Sequence, residues 1–243
     1  MEKASKSLIS NLKKQKRENR FLLFLDNVKI IKDAIKNKTI NPLFVFTIDE
    51  NIDIEFKNKY LVDYKTIEQL SDVKTPQGVL CIAEYIPHIV NKPTDNFLVL
   101  DNVQDPGNVG TLIRTAKASG FNEVYLLNCA SVTNPKVIRS SVGAIFTTKL
   151  YELDRQEFIN YQQKWKNTIL KTDMNGENIF SFQTNKNEIL GIVIGNEGNG
   201  VSKEISSICS KSVKIPMMEG IESLNASVSG SIIMYEINKN RLI

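Results

Sequence analysis

Phe97-Leu98-Val99-Leu100 is a continuous apolar run, and the polar segment Asp105-Pro106-Gly107-Asn108-Val109-Gly110 follows it a few residues later. A strand made only of apolar residues is typical of a parallel sheet that helices cover on both faces. The polar segment leads into a stretch with the i, i+3, i+4, i+7 spacing of a helix that packs on a core. Its apolar positions are Val109, Leu112, Ile113 and Ala116. We therefore predict a strand followed by a helix over about residues 108–119.

The same alternation continues to the end of the chain. Further strands are predicted over residues 124–127, 168–170, 189–194 and 213–215, and helices over residues 135–143 and 224–239. Strands that alternate with helices indicate a parallel α/β sheet. Residues 97–243 are therefore predicted to form one α/β domain.

The first part of the chain shows a shorter alternation of its own. A Lys- and Arg-rich helix is predicted over residues 5–20, a buried strand over 43–48, a short helix over 64–70 and another strand over 78–83. Residues 85–96 contain two prolines and several polar residues, which favours a linker. We therefore expect a small α/β domain over residues 1–84, a linker over 85–96 and the larger domain after it.

The composition excludes several classes of protein. A hydrophobic content of 42% and a charged content of 24% are ordinary for a globular chain of 243 residues. No apolar stretch reaches the roughly 18 residues of a membrane span, and the Lys-rich N-terminus lacks the apolar core of a signal peptide. We expect a cytoplasmic protein with no membrane partner.

The cysteine and histidine content limits the chemistry. Cys81, Cys129 and Cys209 are far apart and form no C-x-x-C pair, so neither a disulfide framework nor a zinc site is predicted. His88 is the only histidine, which argues against a catalytic triad or a His-ligated metal. We expect chemistry that uses neither imidazole nor a bound metal.

Positive charge is concentrated at the start of the chain. Residues 1–40 carry eleven Lys or Arg against four Asp or Glu, whereas the rest of the chain carries 20 against 23. A basic arm on a nearly neutral body indicates nucleic-acid binding. A solvated helix face is the alternative interpretation.

The polar segment at 105–110 has a possible ligand-binding function. Asn108 is predicted to cap the helix, and the unpaired N–H groups at a helix start suit an anion such as a phosphate. Arg114, on the side away from the apolar stripe, adds a forked donor of fixed charge. A capped amphipathic helix with one surface arginine is the alternative.

Two further polar segments end apolar runs. Gly195-Asn196-Glu197-Gly198-Asn199-Gly200 has three glycines, which let the backbone approach a ligand closely. Its spacing differs from the dinucleotide fingerprint G-x-G-x-x-G and from a P-loop, and a tight turn is the alternative. Ile215-Pro216-Met217 precedes Ser223-Leu224-Asn225, where Ser223 either caps the last helix or, together with Asn225, orients a ribose hydroxyl.

Taken in order, the three segments resemble the SpoU/TrmH family of RNA 2′-O-ribose methyltransferases, within the SPOUT superfamily, over essentially the whole of residues 95–243. The first family motif is met by Asp105, Pro106, Asn108, Gly110 and Arg114. The second is met by Gly195, Glu197 and Gly200, and the third by Ile215, Pro216, Ser223, Leu224, Asn225 and Ser227. Two positions depart from the family pattern: Glu219 stands where glycine is usual, and Ser229 where alanine is common.

The resemblance implies a fold and a partner. The expected fold is α/β, a parallel-sheet SPOUT domain with a C-terminal trefoil knot, preceded by a small ribosomal-protein-like α/β domain that binds RNA. That small domain, although Asp26-Asn27 replaces the usual Glu-Gly, favours 23S ribosomal RNA as the substrate over tRNA. Family members are homodimers, so a homodimer is expected.

The resemblance also implies a site and a cofactor, S-adenosylmethionine. The catalytic residues it implies are Arg114, Asn108, Glu197, Ser223 and Asn225. The residues it implies for cofactor binding are Gly195, Ile215 and Leu224. Two alternatives remain at this point, a tRNA methyltransferase and an RNA-binding protein of the same fold that has lost methyl transfer. A nicotinamide-dependent enzyme is disfavoured by the glycine spacing.

Overall fold

The computed structural model describes residues 2–19, 21–54, 56–185, 188–221 and 223–241. The chain divides into two compact units, of which one runs to Pro87 and includes residues 133–135, and the other contains the remaining residues from His88 onward. The predicted linker over residues 85–96 contains this boundary. No helix in the described ranges is long and apolar enough to cross a bilayer.

In its described residues, the first unit is a five-stranded mixed sheet with three α-helices. Its strands are β1 (Glu2–Lys3), β2 (Leu22–Leu25), β3 (Ile40–Thr47), β4 (Lys59–Leu61) and β5 (Val79–Tyr85), in the order β1-β4-β3-β5-β2. The helices are α1 (Lys6–Glu18), α2 (Val28–Lys36) and α3 (Tyr64–Leu70). Each helix begins after a side chain that accepts a hydrogen bond from its first turn; these caps are Ser5, Asn27 and Asp63.

The second unit contains a six-stranded sheet in which every strand pair is parallel. The strands are β6 (Phe97–Asp101), β7 (Glu123–Leu127), β8 (Lys149–Leu153), β9 (Thr168–Asn178), β10 (Leu190–Gly195) and β11 (Lys211–Lys214). Their order is β11-β9-β10-β6-β7-β8. The predicted parallel α/β sheet is confirmed, and β9 is considerably longer than the predicted strand over residues 168–170.

Five α-helices accompany this sheet in the residues that the structure describes. They are α4 (Pro106–Ala118), α5 (Pro135–Ser140), α6 (Arg155–Trp165), α7 (Lys203–Ser206) and α8 (Ala226–Asn238). The four apolar positions predicted to bury one side of α4 are all fully buried. At Gly230 of α8 a Cβ would overlap the Leu112 side chain of α4, so the missing side chain allows the two helices to approach closely.

The predicted cap of α4 is wrong, and the alternative in which Ser223 caps the last helix is also excluded. Helix α4 begins two residues earlier than predicted, because Pro106 occupies its first turn and the Asp105 carboxylate accepts from the Asn108 amide N–H at 2.9 Å. Asp105, rather than Asn108, is therefore the cap. Helix α8 is capped by Asn225 rather than Ser223, since Asn225 Oδ1 accepts from the Ser227 amide N–H at 2.9 Å.

Candidate functional site

The three polar segments meet at the carboxyl ends of β6 and β10. These strands are neighbours in the sheet although about ninety residues separate them in sequence, and Gly195 lies opposite Asp101 in the register. Asn225 Nδ2 donates to Asn108 Oδ1 at 3.0 Å, and Asn108 Nδ2 donates to Glu197 Oε1 at 2.7 Å. The first, second and third segments are thus joined by direct side-chain hydrogen bonds.

The direction of this chain of hydrogen bonds follows from the helix caps. Asn225 Oδ1 is occupied at the start of α8, where it accepts from the backbone of Ser227 and Val228. Its amide nitrogen is therefore the group left to donate to Asn108. Because Asn108 accepts through its oxygen, its own nitrogen donates to the carboxylate of Glu197, the acceptor at the end of the chain.

The glycine-rich segment forms a closed turn after β10. The backbone of Asn196 pairs with that of Gly200 in both directions, at 3.0 and 2.9 Å. A Cβ on Gly195 would overlap the backbone of Gly200, which itself has a positive φ of 66°. Glycine is therefore required at both ends of the turn, one for close approach and the other for backbone conformation.

A cavity of about 460 Å³ lies beside this turn. Five of the predicted site residues line it: Gly195, Glu197, Ile215, Ser223 and Leu224. Apolar side chains from β10, β11 and α8 form much of the remaining wall, namely Ile194, Val213 and Ile233. The volume and the mixture of apolar walls with a few polar groups are typical of a small-molecule site.

The other three predicted residues lie outside the cavity wall. Asn108 is linked to the wall by its hydrogen bond to Glu197, and Asn225 is linked to it through Asn108. Arg114 is exposed on α4, and no hydrogen bond or ion pair holds its guanidinium within the part of the chain that the structure describes. The structure therefore does not bring Arg114 into the cavity, and it leaves the guanidinium exposed to solvent.

A family model described as the SpoU rRNA Methylase family matches residues 95–235, which is more than half of the chain. The chain belongs to the SpoU rRNA methylase family. It is therefore an RNA methyltransferase of the SpoU/TrmH type, as the order of the three motifs predicted.

Relatives of this SpoU methylase match it along most of its length. A protein of Staphylococcus epidermidis described as a putative TrmH family tRNA/rRNA methyltransferase is 28% identical over 221 residues, which is 88% of each chain. The crystal structure of an AdoMet-bound rRNA methyltransferase from Sinorhizobium meliloti covers 99% of this chain and 97% of its own, with 19% identity and a TM-score of 0.85.

Two further solved structures differ in how much of the chain they match. One described as an RNA 2′-O ribose methyltransferase is 21% identical, covers 100% of both chains and has a TM-score of 0.80. The TrmH/SpoU tRNA modifying enzyme of A. aeolicus is 26% identical with a TM-score of 0.54, and covers 62% of this chain and 77% of its own.

The sequence interpretation of this SpoU site missed Asp101, at the end of β6. Its side chain is fully buried, and it accepts from Arg155 Nε and from the Ser202 amide N–H, both at 2.7 Å. The carbonyl of the next residue, Asn102, accepts from Asn196 Nδ2 at 3.0 Å. Both ends of the glycine-rich turn are thus tied to the end of β6. A charged residue that ends an otherwise apolar run is the signal that could have identified it.

Strand β9 contributes a second group of residues that sequence reasoning missed. Thr172, Asp173 and Met174 line the cavity. A backbone hydrogen bond from Asn175 and an ion pair with Lys171 at 3.0 Å hold the pKa of Asp173 below its ordinary value. This carboxylate is therefore ionised at neutral pH. In the described ranges, no group of three or more His, Cys, Asp or Glu side chains is placed to hold a metal ion.

Proposed function

We propose that this SpoU-family protein transfers a methyl group from S-adenosylmethionine to a ribose 2′-hydroxyl of structured RNA, with 23S ribosomal RNA as its substrate. The single observation that carries the proposal is the hydrogen-bonded chain Asn225–Asn108–Glu197, which joins all three motifs at the wall of one cavity. Neutral amides beside a carboxylate are groups that can orient a hydroxyl without metal or imidazole.

The cavity suits S-adenosylmethionine. Ile215 and Leu224 offer apolar walls for an adenine ring, and the backbone around Gly195 is open to close approach because no side chain covers it. The wall holds two carboxylates, Glu197 and Asp173, and one ammonium, Lys214, which suits a ligand with a positively charged sulfur and a charged amino-acid part. When bound, the cofactor supplies a methyl group already activated by the positive charge of its sulfur. The AdoMet-bound Sinorhizobium meliloti structure supports this choice.

The protein's residues then orient the acceptor. In this proposal Ser223 and Glu197, which line the cavity, contact the ribose hydroxyl, and Asn225 positions Glu197 through Asn108. The Arg114 side chain has five N–H donors and no acceptor, so a role as a general base is disfavoured. Its exposure on α4 instead suits a clamp on a phosphate of the RNA. Such positioning accounts for a large part of catalysis when the reacting groups are already activated.

The first unit supports a ribosomal RNA substrate. The Sinorhizobium meliloti rRNA methyltransferase matches 99% of this chain, whereas the A. aeolicus tRNA modifying enzyme matches 62%. We assign residues 1–84 to RNA binding, with the basic helix α1 as part of the contact surface. The proposal includes a homodimer and a C-terminal trefoil knot within residues 97–243.

The test measures transfer of a labelled methyl group from S-adenosylmethionine to purified RNA. The expected result is incorporation into 23S ribosomal RNA at a linkage that resists alkali, because a methylated 2′-oxygen cannot attack the neighbouring phosphate. Incorporation into tRNA alone would show that tRNA, and not ribosomal RNA, is the substrate. RNA binding without methyl transfer would indicate a non-catalytic RNA-binding protein of the same fold. Arg114→Lys, which keeps the charge and loses the planar fork, is expected to lower kcat at least about tenfold. Unchanged turnover would contradict the clamp.

A further inference from the structure

A ridge of exposed side chains lies beside the first motif and takes no part in the proposed function. It consists of Lys136, Arg139 and Val142, at intervals of three residues along α5 and the turn after it. All three are exposed, and Val142 presents 60% of its surface to solvent. We call these three residues the α5 ridge.

The α5 ridge is held firmly against the first turns of α4. Ser140 Oγ lies 3.2 Å from the Pro106 carbonyl, although its shortest hydrogen bond is to the Lys136 carbonyl of its own helix at 2.7 Å. A Cβ on Gly110 would overlap Ser140 Oγ and lie 2.6 Å from the Val137 carbonyl, so the two helices touch through the bare backbone of this glycine. This close approach sets the position of the α5 backbone, and so of the ridge, relative to α4.

The ridge is also close to the proposed catalytic residues. Lys136 Nζ lies 2.9 Å from one oxygen of Asp105, and the other oxygen accepts from the backbone N–H of Asn108 at 2.9 Å. Gly107, Gly110 and Arg114 are spaced i, i+3, i+7 and so share one side of α4. Gly107 and Gly110 face α5, and Arg114 lies one turn further along the same side of α4.

The backbone at the end of the ridge is strained. Val142 has a φ of 51°, a left-handed conformation that is unusual for a β-branched residue, and Gly143 follows with a φ of 82°. Such strain persists where a function requires the conformation. Here the conformation leaves the apolar side chain of Val142 exposed to solvent, three residues after Arg139.

We propose that the α5 ridge binds the sugar-phosphate backbone of the RNA substrate next to the nucleotide that is methylated, a role that rests on the proposed function. Lys136 and Arg139 are one helical turn apart, about 5–6 Å between Cβ atoms, which lets them contact neighbouring phosphates. Val142 packs on a ribose or base of the same strand. The three cations Lys136, Arg139 and Arg114 then form one track along α4 and α5.

The decisive variant is Arg139→Gln, because Arg139 is exposed and lies outside both the three motifs and the cavity wall. We expect its KM for RNA to rise about tenfold while kcat and the Kd for S-adenosylmethionine stay within twofold of the wild-type values. Lys164→Gln on α6 is the matched control, since it removes another exposed positive charge away from the ridge and should leave KM unchanged. Lys136→Arg tests charge retention at the other ridge position, and it should bind RNA like the wild type.

Salt dependence provides the second readout. In the double variant K136Q/R139Q, the slope of log K against log salt concentration should fall by about 1.4, which corresponds to two phosphate contacts on a single strand. An unchanged KM for RNA and an unchanged slope, with a wild-type enzyme that methylates RNA, would overturn the ridge proposal alone. A wild-type protein that neither binds nor methylates RNA would overturn the proposed function as well, so the two failures are distinguishable.

Discussion

Replacing Asn196 with alanine should loosen the glycine-rich turn without removing any group that lines the rest of the cavity. Asn196 Oδ1 accepts from the amides of Gly198 and Asn199 at 3.0 and 3.1 Å, and its Nδ2 donates to the Asn102 carbonyl at 3.0 Å. Each such bond contributes about 0.5–1.5 kcal/mol. Because the residue is half-buried, we expect a total loss of about 1.5–3 kcal/mol.

That loss should appear in cofactor binding. The turn lines the cavity, so a variant in which it is disordered must order it again when the ligand binds. A cost of about 1.5–3 kcal/mol corresponds to a Kd for S-adenosylmethionine that is about 10- to 150-fold higher. Isothermal titration calorimetry measures this Kd directly, and amide hydrogen exchange over residues 196–200 reports the loosening without any ligand.

Two variants make the test specific. Asn199→Ala is the matched control, because the Asn199 side chain makes only a long 3.4 Å contact with Asn196, so its Kd should stay within about twofold of the wild-type value. Asn196→Asp keeps the acceptor for both amides and loses the donor to Asn102, and it should fall between the two. An Asn196→Ala protein that binds the cofactor as tightly as the wild type would refute the reasoning.

Two further outcomes concern α4. Gly110→Ala should lower the free energy of unfolding by about 1–2 kcal/mol in urea denaturation, because the new Cβ meets the backbone of Val137 and Ser141; a Ser140→Ala change that restored stability would contradict this. The Lys136 ammonium and the Asn108 amide hold the pKa of Asp105 below its ordinary value. The stability they contribute is present above about pH 4 and is lost as the pH falls through the lower folded-state pKa. The difference in unfolding free energy between wild type and Asp105→Asn should therefore shrink below about pH 4, and a difference that stayed constant to pH 2 would argue against this linkage.

The helix caps show where prediction from sequence stops. Asp105, Asn108, Ser223 and Asn225 are all good cap residues by type. Which member of each pair caps the helix depends on where the first turn begins, and in α4 this is set by Pro106. In α8 the cap is Asn225, whose amide nitrogen also donates a hydrogen bond to Asn108, 117 residues away in sequence. Local preference alone does not distinguish such neighbours.

The sequence by itself determined the parallel α/β class, the apolar side of α4 and, through the order and spacing of three motifs, the family. These are properties of local periodicity and of residue types along one segment, and both can be read without knowing which segments touch. Only the tertiary structure decided that β6 and β10 are neighbours, that Asp101 and the Asn102 carbonyl tie the two ends of the glycine-rich turn to β6, and that α5 carries two cations to the start of α4. Strand order and helix packing depend on the free energy of burying all the apolar surfaces together, so no single segment contains that information.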